Sequence, residues 1–146
     1  MAVTISRYNH TTKKLVNKEV DYTSLKAMLL NTGASFTAGN TTLTQVTNAG
    51  ANEVSGNGWA VGGQPLQSVA VTVVDTNGAM IDADDISVEA AGGPIGPTTA
   101  LVIYDDADAN KAPLWYVDFD GAQTAGEGTP FKVTFSASGI SRVTSA

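Results

Sequence analysis

The chain has 146 residues, a net charge of −6 and no cysteine. That length favours one domain, and the missing thiols exclude disulfides, thiolate zinc sites and cysteine nucleophiles. Hydrophobic residues make up 42% and charged residues 15%, enough for a core and too little charge for a disordered chain; the acidic balance argues against a nucleic-acid partner.

The elements follow in chain order. Residues 1–26 carry five bases (Arg7, Lys13, Lys14, Lys18, Lys26) against two acids (Glu19, Asp21), a local balance of +3, while the remainder stands at −9. A basic amino-terminal segment, about residues 1–20, is therefore expected to dock on acidic protein surface, or to guard a strand edge with lysines. The opening residues lack a basic stretch followed by an apolar one, so export through a signal peptide is not expected. No apolar run approaches the ~20 residues of a membrane span.

Tyr22 to Leu30 is predicted to be a strand, and Thr41 to Val46 one helical turn capped by Thr41 or Thr42. Asn48 to Gly63 is predicted to be mostly loop, interrupted around Trp59-Ala60-Val61. A loop of that length in a small domain is usually functional or an interface. Leu66 to Val74 and Thr99 to Tyr104 are near-continuously apolar, the pattern of strands covered on both faces. Thr76-Asn77-Gly78 is a tight-turn signal. Ile86 and Val88, then Trp115, Val117 and Phe119, then Phe131, Val133 and Phe135, each alternate with polar residues, a period of two with one apolar face.

Eight to ten such strands predict one all-β domain over residues 1–146, a two-sheet, jelly-roll-like β-sandwich. Its expected core includes Leu29, Val71, Val73, Ile103, Val117, Phe119, Val133 and Phe135.

Candidate chemistry is sparse. Asp106, Asp108 and Asn110 have the alternate spacing of a calcium loop, but Lys111 stands where that loop needs glycine and Val117 where it needs a bidentate glutamate. Asp82, Asp84 and Asp85 mark a second turn, where aspartates commonly bond their own backbone. No metal or cofactor is expected; a cation bridging two acidic loops at a subunit contact is the alternative. Asp118 and Asp120 stand side by side on one strand and do not straddle a bond as glycosidase acids do. His10 has no nucleophile elbow to serve, and the glycine-rich loops lack the Lys-Ser/Thr of a phosphate loop. An enzyme is not expected. Trp115 shares the face of Val117 and Phe119 and is assigned to the core. Trp59, between two glycine loops, is the candidate apolar anchor.

Glu53-Val-Ser-Gly-Asn-Gly-Trp-Ala-Val-Gly-Gly63 resembles a segment of a family of small virion proteins of tailed bacteriophages. The likeness extends through Leu66–Val74, Asp82–Ile86, Leu101–Tyr104, Tyr116–Phe119 and Phe131–Ile140, and takes in Tyr8-Asn9-His10 and Tyr22–Leu30. The resemblance implies a virion structural protein, best matched in size and fold by the jelly-roll cement or decoration proteins that clamp head shells. It implies the capsid exterior as the location, assembly in the host cytoplasm, and the major capsid protein and copies of itself as partners, with no nucleic acid and no membrane. Arg7, Lys13, Lys14, Lys18 and Trp59 are the expected interface residues. A tail or fibre module binding a receptor or carbohydrate through Trp59 and Tyr116 is the first alternative. A cell-wall hydrolase or its accessory, which needs a cleft with convergent acids, is the second.

Overall fold

Alternating and apolar runs become strands that pair throughout in antiparallel fashion. The computed structural model describes residues 3–74, 78–136 and 139–144. Within them lie β1 (Thr4–Arg7), α1 (Thr11–Val16), β2 (Leu25–Leu30), α2 (Leu43–Thr47), β3 (Glu53–Val54), β4 (Gln64–Pro65), β5 (Ala70–Val74) and β6 (Gly78–Asp82). The chain continues through β7 (Ile86–Glu89), β8 (Ile95–Asp105), β9 (Pro113–Ala125), β10 (Pro130–Val133) and β11 (Ser141–Thr144). The main sheet runs β1-β9-β8-β2, with β3 and β4 sharing the far edge of β2. Two small sheets, β10-β7 and β11-β6-β5, complete an all-β sandwich.

The period of two sorts the main sheet into two apolar faces. Ala27 and Leu29 of β2, Leu101 and Ile103 of β8, and Trp115, Val117 and Phe119 of β9 share a core with Ile81 of β6 and with Phe131 and Val133 of β10. Met28, Leu30, Val102, Tyr104 and Tyr116 point the other way, onto Tyr8, Leu43 and Val46, with Ala34 and Phe36 packed against them. Small sheets therefore close one face of the main sheet, and α2 with the loop before it closes the other. Beyond Asp118, β9 bends: Asp120 and Gly121 take positive φ and the pairing with β8 resumes at Thr98↔Gln123.

Several expectations are met locally. Tyr22–Leu30 supplies β2 from Leu25 onward. Thr42 caps α2 by accepting from Gln45 N, while Gln45 Oε1 accepts from Thr42 N at 3.1 Å, a reciprocal capping box. Leu29, Ile103, Val117, Phe119 and Val133 are buried. The turn signal at Thr76-Asn77 lies outside the described residues, although β5 and β6 pair on either side of it.

The expected core needs correction at three residues. Val71 and Val73 are not core: they are 53% and 80% exposed, because β5 is the outer strand of the three-stranded sheet, with β6 as its one partner among the described residues. Phe135 lies beyond the end of β10, half-buried at the core margin. The basic amino terminus is built into the edge of the main sheet. β1 pairs with β9, and the buried Tyr8 bonds Leu114 through its backbone. Residues 11–16, for which no element is predicted, form α1, pinned by the Thr11 hydroxyl donating to Leu114 O at 2.8 Å.

Candidate functional site

The segment 53–63 folds back on the sandwich and seals it. The Glu53 carboxylate accepts the Gly62 amide at 2.6 Å, and the Tyr104 phenol donates to the Gly62 carbonyl. Asn57 donates to Pro94 O at 2.7 Å. A Cβ on Gly58 would lie 2.6 Å from the Glu89 carbonyl, and one on Gly63 would collide with the Ala27 carbonyl; both glycines hold positive φ. They are glycines because backbone approaches backbone there. Trp59, held by a Gly56↔Trp59 bridge, enters the core at 1% exposure and meets Phe131 edge-on at 5.7 Å. Trp59 is therefore a core plug, which corrects its assignment as a surface anchor: glycines on both sides let the loop turn the indole inward. Tyr116 is buried as well, packed near Phe36.

The basic candidates divide into two groups. Lys14 Nζ sits 3.0 Å from Asp108, and Lys26 and Lys111 reach Asp106 at 3.1 and 2.5 Å. The positive segment is thus partly neutralised by the acidic loop of its own chain, and Lys14 is engaged rather than free to dock. Arg7, Lys13 and Lys18 are exposed and form no ion pair among the described residues. Arg7 lies on β1, Lys13 on α1 and Lys18 just past it, so they do form one amino-terminal region.

The acidic turns have structural partners. Hydrogen bonds from Lys111 and Lys26 hold the Asp106 carboxyl below the usual carboxylate range. Burial pushes Asp108 upward, but the hydrogen bonds from Lys14 and the Asn110 amide outweigh it and leave the group lowered. Asp85 accepts from Phe135 N at 2.9 Å, Asp82 from Ala83 N and Asp118 from Asp120 N. His10 Nε2 lies 2.7 Å from the Pro113 carbonyl, tying α1 to β9. Among the described residues, no three His, Asp or Glu side chains gather as a metal ion would require, and no helix is long and apolar enough to cross a membrane.

Two open apolar features were not foreseen. A cleft of about 510 Å³ runs between β1, β9 and β10, lined by Val3, Ile5, Phe119, Phe131 and Phe135. The second is β5 itself, Ala70-Val-Thr-Val-Val74, exposed along almost its whole length. Unpaired edges are normally blunted by charge, proline or a bulge, and β5 has none of these. Its near-continuous apolar run is visible in the sequence and points to a strand covered on both faces; its exposed place on an edge is set by which strands the chain brings beside it.

Comparison of the chain with protein-family models, with curated proteins and with solved structures returned no match.

Proposed function

We propose that the chain is a virion structural protein of a tailed bacteriophage, a cement protein that stabilises the head shell by bridging subunits from the capsid exterior. The observation that carries this reading is the bare apolar edge at β5, with Val71 and Val73 exposed on a strand that bears no charge. Such an edge is a liability in a solitary domain and an asset in one that is covered by assembly. The segment that resembles phage virion proteins supports the same reading at the level of fold: residues 53–63 build the closed sandwich. The jelly-roll likeness belongs to this proposal, as do the major capsid protein and further copies of the chain as partners, assembly in the host cytoplasm, and the absence of a catalytic step, nucleic acid or membrane.

Arg7, Lys13 and Lys18 are the charges left to meet acidic coat surface, and rim charges of this kind set association rate and salt sensitivity. The tail or fibre alternative loses support, since its two aromatic candidates, Trp59 and Tyr116, are both buried. Weak contacts repeated over a shell add up to firm attachment.

The test is occupancy on purified emptied heads and on purified tails across a salt series. Saturable binding to heads, weakened by salt and less salt-dependent once Arg7, Lys13 and Lys18 are replaced by alanine, is expected. Binding to tails alone, or to neither particle, overturns the reading.

A further inference from the structure

We infer that β5 is a self-recognition edge: two copies of the chain pair antiparallel through β5 about a two-fold axis at Thr72. The inference deepens the cement reading, on which its biological use rests, by naming the partner of the open edge. The strand is self-complementary. With the axis at Thr72, Thr72 faces its own copy, Val71 faces Val73 on both sides, and Ala70 faces Val74. Opposed residues of an antiparallel pair share a face, so the two exposed valines of each copy come together as a cluster of four. Of the two-fold axes possible, only this one keeps all five strand residues paired.

Electrostatics favour a second copy over a charged partner. No residue of β5 is ionisable, so the two-fold brings no like charges face to face on the strand, and nothing there attracts a basic or acidic segment. Pairing joins β11-β6-β5 of each copy into one continuous six-stranded sheet and satisfies the outward N–H and C=O groups of both edges. It is an isologous contact, closed after two copies, which removes the edge instead of propagating it.

Five residue pairs fall well short of the ~800 Å² per partner of a standard stable interface. The free chain is therefore expected to be monomeric when dilute and to dimerise only weakly as concentration rises. On a shell, neighbouring copies meet at far higher effective concentration, and the same contact then becomes persistent.

The chain has no cysteine, so a single introduced thiol reports without background. Opposed Cα atoms in an antiparallel pair lie ~4.5–5.5 Å apart, within disulfide reach. Thr72→Cys is expected to oxidise to a covalent dimer at about 100 μM at least tenfold faster than Val16→Cys or Val61→Cys, which sit at 72% and 80% exposure elsewhere. In sedimentation up to the same concentration, wild type should shift toward dimer and Val73→Lys should remain monomeric with an unchanged far-UV spectrum. Cross-linking of Thr72→Cys no faster than the controls overturns the inference, as does dimerisation of Val73→Lys like wild type. Failure of the cement reading looks different: Thr72→Cys cross-links, supporting the pairing, while neither heads nor tails take up the chain.

Discussion

β8 and β5 read alike in the sequence, two valine-bearing apolar strands, and the fold treats them oppositely. β8 lies between β2 and β9, sealed on both faces, with Leu101 to Tyr104 all buried. Among the described residues β5 has one neighbour, and it keeps Val71 and Val73 in solvent. An apolar run identifies a strand, while burial follows from neighbours on two edges and layers on two faces. Where a strand lacks them, its apolar residues are either a fault or a contact. The same contrast separates Trp59 from the valines of β5: a residue in a glycine-rich loop is core, and residues in a regular strand are surface.

The largest effect should come from the buried side. Trp59→Ala removes an indole stacked edge-on against Phe131 and is expected to cost about 3–5 kcal/mol in chemical denaturation. A loss under ~1 kcal/mol would return Trp59 to the surface and break the contrast. Gly63→Ala comes next. It meets the Ala27 carbonyl at positive φ and should cost more than ~1 kcal/mol, whereas the same change at Gly50, open on all sides but also at positive φ, isolates the backbone contribution.

Tyr104→Phe deletes the hydrogen bond to Gly62 and should cost roughly 0.5–1.5 kcal/mol. Burial, with the Asp106 and Glu53 charges nearby, pushes the Tyr104 phenol up to about 12. The neutral phenol is thus favoured by folding. Its contribution is complete below the unfolded pKa near 10 and is lost as pH rises toward 12. Stability should therefore fall less steeply between pH 10 and 12 in Tyr104→Phe than in wild type, as read by chemical denaturation across that range.

Asp106→Asn tests the half-exposed ion pairs with Lys26 and Lys111 and should cost under ~1 kcal/mol at neutral pH. Because the folded carboxyl is lowered, its contribution is present above the ordinary carboxylate range and lost as pH falls through it. Wild type and variant should therefore converge in acid. Val73→Lys, on the open side, should change monomer stability by no more than about 0.5 kcal/mol.

Much of the strand set was legible because side-chain alternation is local. The Thr42 cap of α2 and the Trp115-Val117-Phe119 face needed only neighbours in sequence. What escaped was long-range. That Lys14 reaches Asp108 depends on α1 packing beside the β8–β9 loop, 94 residues away. The exposure of β5 depends on the strand order of a sheet closed by β11, far along the chain. α1 was hidden because Thr11 is buried by β9 and not by any helical periodicity of its own. Glycine runs read as flexible in sequence, yet at residues 58 and 63 they mark close packing.

The most direct measurement is backbone hydrogen exchange on the full chain at low and at high concentration. β8 and β9 should be protected at both. β5 should exchange rapidly in dilute solution and gain protection only where copies pair. β5 amides as slow as those of β8 in dilute solution, or unchanged by concentration, would contradict the account.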